Sequence, residues 1–544
     1  MQQFEPSAAK ENTITMGGFD LEKTASAKPA SSSNDSGLVD TDASRLAEMG
    51  YTQDLNRNFS ILSLIGIAFC MSNSWFGISA SMITGINSGG TTLIIYGLLW
   101  ITVVSMAVGS SLAELASAMP NAGGQYFWAH ELAPRKWARF ASYLTGWFGY
   151  AGAIFACSSV VLGLGQATVG MWKLGHPDFE IEAWHVVVAY QLINFFCYLF
   201  NCFGKSLPFI AKITLYISLI SYFVILVTVP ACARPHASAE FVFGHFSNTT
   251  GWKSDGMAFI VGLINPNWIF ACLDSATHLA EEVPQPEKNI PIAIMATVGI
   301  GFVTSWTYCI SMFFGIKDLS TLINSTTGVP ILELYHQALQ NKAGAIVLET
   351  LLVLTGMGCQ IACHTWQSRL CWAFARDRGL PGHKWLSQVN KTLDVPLVAH
   401  SVSCFIVGAL GLLYLGSSTA FNSMMTACIS LLYMSYAIPV VCLWYQGRNN
   451  IQHGPFWLGK LGAAANILTI LWTIFCLIMY SFPSSMPAKT SNMNYVSAVY
   501  AVVVVIMLVD WFARGRRSFK SNCVEENVGG KVDSMEEVNV SESD

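Results

Sequence analysis

The stretch 70-CMSNSWFGISAS-81 interrupts an otherwise apolar run with Asn73, Ser74 and Trp75, followed at once by Gly77. The run continues on both sides and exceeds the roughly 20 apolar residues that a membrane-spanning helix needs. A polar cluster at its middle can be purely structural, because Asn and Ser hydrogen-bond between membrane helices and Gly lets helices approach closely. Taken alone, the stretch leaves this interpretation and a binding site equally open.

A second stretch, 263-LINPNWIFACLDSATHLAEEV-283, favours the binding site. It places Asn267, Trp268 and Phe270 inside another apolar segment, where Pro266 removes a backbone donor. Interrupted segments in corresponding positions of two halves of a chain are typical of transporter sites, because irregular backbone at membrane depth is tolerated where it lines a cavity. We therefore expect five-plus-five inverted repeats, segments 1–5 and 6–10, with broken helices 1 and 6.

The composition indicates an integral membrane protein. Of the 544 residues, 53% are hydrophobic and 11% are charged, against roughly 25% charged residues in soluble domains. The sequence thus predicts an all-α membrane protein with twelve transmembrane helices, two of them additional to the ten-helix core. The predicted segments are 60–84, 91–112, 138–167, 184–203, 208–231, 257–280, 291–316, 343–372, 396–415, 419–445, 461–483 and 494–513.

The distribution of positive charge predicts the orientation. If both termini are cytoplasmic, 23 of the 29 Lys and Arg residues lie in the tails and inward loops, as the positive-inside rule requires. The first 30 residues contain no apolar core of a signal peptide, so we expect helix 1 to direct insertion. The predicted organisation is a disordered cytoplasmic tail (1–57), a transport core (58–445), helices 11 and 12 (446–513) and a second cytoplasmic tail (514–544).

The two tails suggest contacts outside the bundle. The C-terminal tail begins with Arg514, Arg516, Arg517 and Lys520, which suits contact with anionic membrane lipid. Lys and Ser residues in both tails offer modification sites for regulatory or turnover machinery. Nothing in the composition predicts nucleic-acid binding.

Ionisable residues within the predicted segments are candidates for function, since a buried charge in a membrane costs several kcal/mol. Asp274 lies beside the second interruption. Glu114 and His364 are candidates for gating or proton coupling, although a salt bridge explains the first and a packed, hydrogen-bonded His explains the second. Cys359, Cys363 and His364 have helical spacing, but we expect no metal, because no further ligands accompany them. We see no nucleophile–base pair or phosphate loop, and predict neither an enzyme nor a cofactor.

Three motifs carry a family resemblance. The stretches 112-LAELASAMPNAGGQYFW-128, 281-EEVPQPEKNIPIAI-294 and 366-WQSRLCWAFARDRGLPGHKWLSQVNKTLDVPLVAH-400 resemble signatures of the amino acid–polyamine–organocation (APC) superfamily. Within it, NSWFGIS, FGKSLP, GLINPNW and HGPFWLGK are similar to the fungal amino acid/choline transporter family. The resemblance implies twelve helices, the inverted-repeat fold of leucine-type transporters, and choline import across the plasma membrane.

The resemblance also implies a site for a cation. A trimethylammonium group donates no conventional hydrogen bond, so aromatic faces and a nearby carboxylate would hold it. Asn73 would meet the choline hydroxyl and Asp274 would supply the counter-charge. Amino-acid carriers of this superfamily bind the substrate carboxylate at a small-residue helix 1 break, where this chain has bulky aromatics. The predicted binding residues are Asn73, Ser74, Trp75, Phe76, Gly77, Tyr150, Trp268, Phe270 and Asp274.

Three functions remain open on the sequence. The first is a choline importer that works by alternating access, with ethanolamine and related amines as further candidate substrates. The second is an amino-acid permease of the same fold, for 4-aminobutyrate above all. The third is a nutrient sensor that does not transport. A co-transported proton is also open, because the middle of helix 5, from Tyr216 to Tyr222, lacks the Lys of many proton-coupled relatives.

Overall fold

The computed structural model describes residues 42–490 and 492–520. Within these residues the regular elements are helices, and the single β-bridge joins Asn390 to Val395. The principal helices are α1 (Ile61–Ser72), α2 (Ser74–Ala80), α3 (Met82–Ala118), α4 (Gln125–Leu132), α5 (Arg135–Gly175), α6 (Ala183–Phe200), α7 (Leu207–Cys232), α8 (Asp255–Gly262), α9 (Ile264–Trp268), α10 (Pro286–Phe314), α11 (Pro330–Leu339), α12 (Lys342–Arg376), α13 (Leu397–Gly411), α14 (Ser418–Gln446), α15 (Lys460–Met479) and α16 (Val496–Asp510).

Eleven helical stretches of the described chain are long and apolar enough to cross a membrane. The all-helical membrane fold is therefore confirmed. The predicted sixth segment, 257–280, is not among the eleven, because it is helical only in α8, α9 and a short 3₁₀ turn at Thr277–Leu279. The chain between α9 and α10 otherwise runs as successive turns.

The first predicted segment bends at a single residue. Asn73 separates α1 from α2 with φ 29° and ψ 61°, a left-handed conformation that Asn adopts more readily than most residues. A second bend lies inside α3 at Gly90, where φ is 64°. A Cβ there would approach the carbonyl oxygen of His245 to 2.7 Å, so Gly90 also allows the backbone at His245 to pass close to α3. This bend falls near the predicted boundary between segments 1 and 2.

The helices around the first bend form the centre of the bundle. α1 lies against α7, α10 and α12, and α5 lies against α12 and α14. Apolar side chains of the peripheral helices point outward: Leu192, Phe195, Val505 and Val509 are each about 60% exposed. Such faces suit a lipid environment, as the composition predicted.

The segment before α1 corrects the predicted tail boundary. Residues 42–57 belong to the stretch predicted as disordered, yet 42–48 are helical and the side chains of Tyr51 and Leu55 are buried. Arg57 donates to Asp42 and to the backbone oxygen of Val283. The segment therefore lies across the end of the bundle at which α1 begins. The remaining residues of both predicted tails, 1–41 and 521–544, lie outside the described chain.

Ion pairs connect the helices at this same end. Arg369 on α12 binds Glu282 through two nitrogens, at 2.9 and 3.2 Å, and both side chains are buried. Arg376, near the end of α12, pairs with Glu281 at 2.8 Å. The two acids come from the turns that follow α9. The pairs therefore tie α12 to the end of the interrupted segment.

Because Arg369 and Glu282 are both buried, removing one partner leaves an uncompensated charge. We expect Arg369→Met and Glu282→Met each to destabilise the protein by about 3–5 kcal/mol. The double variant recovers most of this loss, since an apolar replacement of a whole pair is often neutral. Thermal unfolding of the four purified proteins in detergent measures the coupling. The exposed Lys391→Met is the matched control, and additive losses in the double variant would contradict the assignment.

A third acid at this end of the bundle has hydrogen-bond partners for only part of its carboxylate. Asp377, just beyond α12, accepts a hydrogen bond from the Tyr51 hydroxyl at 2.9 Å, while its Oδ1 has no hydrogen-bond partner among the described residues. Burial raises the pKa of the Asp377 carboxyl from 3.8 to about 6, against the opposing effects of Arg376 and Tyr51. The charged form is thus disfavoured in the folded protein.

This pKa predicts a pH dependence of stability. Because the folded-state pKa exceeds the unfolded value, the folded protein binds the extra proton between about pH 4 and pH 6, and stability falls as pH rises through that window. Asp377→Asn removes this loss and keeps an oxygen for Tyr51, so we expect it to be more stable than the parent at pH 7 by up to roughly 3 kcal/mol. The gain should shrink toward pH 4 in thermal melts. A gain that is independent of pH would contradict the assignment, and Asp377→Ala controls for the lost hydrogen bond.

Candidate functional site

The two interrupted segments cross at Gly77. A Cβ at this position would lie 2.8 Å from Cγ2 of Ile269 and 3.3 Å from the ring of Trp268. On one side of the crossing, the side-chain amide of Asn265 donates to the hydroxyl of Ser81 at 2.6 Å. The backbone of α2 at Gly77 therefore lies directly against the side chains of Trp268 and Ile269, and any larger residue at Gly77 would push these side chains away.

A small pocket lies beside this crossing. It has a volume of about 20 Å³, enough for about one water molecule. Phe76 and Trp268 supply its aromatic surface. Sulfur atoms and small polar groups from α1, α5, α12 and α14 complete it, namely Met71, Ser72, Ser159, Cys272, Cys359, Cys363 and Cys428, with Cys272 from the turns after α9.

The pocket continues into a wide vestibule. This cavity measures about 600 Å³ and shares Phe76, Ser159, Val160 and Trp268 with the pocket. Its walls extend to Gly328 and Pro330, to the start of α14 and to residues 482–494. These elements lie at the end of the bundle opposite to the ion pairs of Glu281 and Glu282. The site is therefore accessible from one side and closed at the other.

Three of the nine predicted binding residues, Phe76, Gly77 and Trp268, line the pocket. Trp75 does not: its indole packs between Tyr222 and Tyr308, with ring centroids 6.2 and 5.5 Å away. The indole nitrogen of Trp75 donates to Ser218 on α7 at 3.0 Å. The neighbouring aromatics of the first stretch thus divide between the pocket and the α7 interface.

Tyr150 and Phe270 also lie outside both cavity linings. The hydroxyl of Tyr150 is hydrogen-bonded to that of Ser403 at 2.9 Å. Phe270 is completely buried, and its ring lies 3.0 Å from where a Cβ of Gly301 would stand. These two aromatics pack between helices in this conformation.

The polar candidates of the site are engaged with the protein. Asn73 accepts from Ser218 at 3.3 Å, and the Ser74 hydroxyl points to the backbone oxygen of Ile269. Asp274 accepts from the Tyr436 hydroxyl at 2.7 Å and lies 3.1 Å from Nε2 of His278. None of the three, Asn73, Ser74 and Asp274, lines either cavity.

The two gating or coupling candidates also have protein partners. Glu114 binds Arg448 at 2.9 Å and receives the backbone N–H of Leu458 at 2.8 Å, so the salt-bridge interpretation describes its geometry. His364 faces two glutamines and Cys404 between α12 and α13. It is the chain neighbour of Cys363 but points away from the pocket lining.

Sequence reasoning missed several residues that line the pocket. Ser159 lies in 157-CSS-159 at the middle of the third predicted segment, and this cluster of small polar residues was a usable signal. Cys359 and Cys363 share one face of α12 toward the pocket, whereas their spacing was considered only for metal binding. Sequence reasoning assigned no role to Glu349, which is fully buried on α12 with no hydrogen-bond partner at either oxygen among the described residues.

Interrupted membrane helices that cross beside a one-sided cavity define a membrane transporter. Residues 59–508 match the family model described as "Amino acid permease", and the chain belongs to this family. The predicted membership of the APC superfamily is thus confirmed.

Named relatives fall into the same functional class. The chain is 52% identical to the "Choline transporter" of Saccharomyces cerevisiae, over 87% of this chain and 84% of that protein. It is 37% identical to the "7-keto 8-aminopelargonic acid transporter" of the same yeast, over 84% and 91%. It is 30% identical to "Amino-acid permease BAT1" of Arabidopsis thaliana, over 89% and 96%. All three are named as transporters or permeases, and the chain is a multi-pass membrane transporter rather than an enzyme.

The vestibule allows a direct test of which side it faces. Gln166 lines it from α5, whereas Gln388 is exposed at the opposite end. In a Cys232→Ser background, we expect a membrane-impermeant thiol reagent added to intact cells to label Gln166→Cys and not Gln388→Cys. Permeabilised cells should show labelling of both. The reverse pattern in intact cells would overturn the predicted orientation.

Proposed function

We propose that the chain is a plasma-membrane secondary transporter that imports choline by alternating access. The observation that carries the proposal is the pairing of Phe76 and Trp268 at the helix crossing, in a chain 52% identical to a protein named as a choline transporter. Two aromatic faces from opposite segments are the feature that a quaternary ammonium ligand requires.

The chemistry of the pocket supports a cation without hydrogen-bond donors. Each aromatic face contributes about 0.5–2 kcal/mol to binding a desolvated ammonium group. The remaining surface is rich in sulfur from Met71 and Cys272, and in the small hydroxyls of Ser72 and Ser159. Sulfur is polarizable and suits methyl groups, while a serine hydroxyl can meet the alcohol of choline. In this proposal Phe76 and Trp268 alone take the role predicted for a larger aromatic cage.

In this proposal Asp274 lies outside the pocket lining and contributes by positioning the pocket wall and by its negative charge. The Tyr436 hydroxyl donates to Asp274 and also to the backbone oxygen of Ala271, both at 2.7 Å, and Ala271 lines the pocket. The carboxylate therefore holds the turns after α9 in place. At this depth its charge also acts over longer distances than in water, which favours a cation in the pocket.

The dimensions of the cavities support alternating access. A pocket of about 20 Å³ is too small for choline, so binding requires the interrupted segments to move apart from the position described here. The closed end, sealed by Arg369, Glu282 and residues 42–59, must open for release. We propose twelve crossings, with 255–283 as the sixth, and inverted repeats that place both interruptions at the midplane.

The membrane potential provides a driving force for this import. Moving one positive charge inward is worth about 2.3 kcal/mol per 100 mV, so uptake of a cation needs no coupled ion. If a proton accompanies choline, Glu349 is a better candidate carrier than His364. An unpartnered buried carboxyl is costly as an anion, and neither oxygen of Glu349 has a hydrogen-bond partner among the described residues.

An amino-acid substrate is the alternative that relatives such as the Arabidopsis permease suggest. Its carboxylate would need free backbone N–H groups at the first break. Here the N–H of Asn73 donates to Phe69 and that of Gly77 donates to Asn73, at 2.7 and 2.9 Å. The N–H groups of Ser74, Trp75 and Phe76, in the first turn of α2, have no such partner among the described residues, so backbone donors alone leave 4-aminobutyrate open. The bulky aromatics at this break, in place of small residues, favour choline. An uptake measurement distinguishes both kinds of transporter from a sensor, because a sensor would bind its ligand without transporting it.

The division between Trp75 and Trp268 predicts different defects. Trp268→Ala removes a pocket face, so we expect the KM for choline to rise about tenfold, with Trp268→Phe in between. Trp75→Ala empties a packed site and should lower stability by about 3–5 kcal/mol, reducing transporter amount more than affinity. Labelled choline uptake, normalised to surface protein and measured in a strain without its own choline carrier, checks both.

The controls separate site effects from general ones. Trp385 is 68% exposed, and Trp385→Ala should leave both KM and stability unchanged. Excess 4-aminobutyrate should not compete, whereas ethanolamine tests related amines. Absence of choline uptake by well-expressed parent protein would overturn the proposed substrate. A KM for Trp75→Ala that rises as much as that for Trp268→Ala, at unchanged stability, would overturn the proposed pocket.

A further inference from the structure

Two histidines and a cysteine converge between α12 and α13. The side chains are His364 on α12, and His400 and Cys404 on α13, and all three are buried. One potential ligand atom from each lies within 4.8 Å of the other two. The Sγ of Cys404 is 3.2 Å from Nδ1 of His364 and 3.6 Å from Nδ1 of His400.

These separations fit a shared metal ion. With Zn–N of about 2.0–2.1 Å and Zn–S of about 2.3 Å in tetrahedral geometry, a sulfur and a nitrogen on one ion stand about 3.5 Å apart. The two measured Cys404–histidine separations bracket this value. The third separation, between one nitrogen of each imidazole, is no more than 4.8 Å, so the two rings must approach each other to share the ion.

The surroundings of His400 orient it as a ligand. Its Nε2 lies 3.1 Å from the backbone oxygen of Tyr198, and since a carbonyl can only accept, Nε2 carries the proton. Nδ1 therefore directs its lone pair at Cys404. Metal-bound histidines characteristically donate their second nitrogen to a carbonyl or carboxylate in this way.

The surroundings of His364 contain the second, independent indication. Its two ring nitrogens face the side-chain amides of Gln360 and Gln367, at 3.1 and 2.8 Å. The oxygens of both amides are buried without a hydrogen-bond partner in the described chain. Reversing the Gln360 amide, which is equivalent in shape, lets its oxygen accept from Nε2–H of His364 and leaves Nδ1 free toward Cys404.

Gln367 completes the set. Its amide lies 2.8 Å from Nδ1 of His364 and 3.8 Å from the sulfur of Cys404, next to two of the three ligands. Reversed in the same way, it presents its unpartnered oxygen where a fourth ligand belongs. Reversal of Gln360 alone gives its oxygen a donor, so the unpartnered oxygen of Gln367 is the one that a bound ion explains.

We propose that His364, His400 and Cys404, with Gln367 as the fourth ligand, bind one Zn²⁺ ion per chain. The donor set of two imidazoles and a thiolate suits borderline-soft ions of this kind, and a closed, buried site is typical of a structural metal. The ion joins α12 to α13. Because His364 follows Cys363 in the chain, the ion also fixes the part of α12 that lines the pocket.

Metal content of the purified full-length protein tests the proposal. The chain is prepared with a tag free of histidine and cysteine, from cells supplied with Zn²⁺, and analysed by mass spectrometry of the elements. We expect one Zn²⁺ per chain in the parent and at least about a tenfold loss in Cys404→Ser. Cys428→Ser, another buried cysteine, is the matched control and should retain the metal. Zinc-free parent, or equal zinc in Cys404→Ser, would overturn the site.

Cobalt provides a measurement that does not depend on a variant folding. Co²⁺ added to chelator-stripped parent protein should give a sulfur-to-cobalt charge-transfer band, and absence of the band would overturn the thiolate ligand. Chelator should also lower the melting temperature of the parent and leave that of Cys404→Ser unchanged. Both readouts are independent of choline uptake. Absence of choline uptake would therefore not contradict the metal site, and absence of metal would not contradict the proposed substrate.

Discussion

The contact between Gly77 and the segment Trp268–Ile269 is the constraint on which the rest of the structure depends. Two membrane segments are interrupted, and the backbone of the first lies so close to the second that a methyl group at Gly77 would collide with the side chain of Ile269. Because of this approach, the ring of Trp268 is placed against the same space as Phe76. The pocket is thus a consequence of the crossing.

Interrupting a helix within a membrane leaves polar groups that must find partners, and these partners fix the surrounding helices. Asn267 donates to Tyr480 and accepts from Tyr433, both at 2.9 Å. Asp274 is held by Tyr436. The two tyrosines on α14 and the one beyond α15 therefore bind the second interruption to the outer part of the bundle. The polar residues of the second stretch serve the fold as well as the site.

The sequence predicted the features that have a local cause. Pro266 and the embedded Asn residues mark the interruptions, and apolar length marks eleven of the twelve segments. It could not predict which of the adjacent Trp75 and Phe76 faces the pocket, because neighbours on a helix point about 100° apart and the rotation depends on the bend at Asn73. Nor does composition reveal that residues 42–57 pack on the bundle. A segment with only a few apolar residues among many polar ones has the same composition as a disordered tail.

The two ends of the bundle are closed by different forces, and this has a consequence for switching. Where α1 begins, bidentate Arg–Glu pairs join α12 to the turns after α9. The two hydrogen bonds of such a pair form or break together. When this end of the bundle opens and water enters, the separated ions are hydrated again. The net free energy of opening is therefore far smaller than the Coulomb attraction within the pair. At the vestibule end the walls bear uncharged Ser, Thr and Asn side chains. The charged end therefore supplies a discrete closed state with a moderate barrier, which is what a carrier that must open there in every cycle requires.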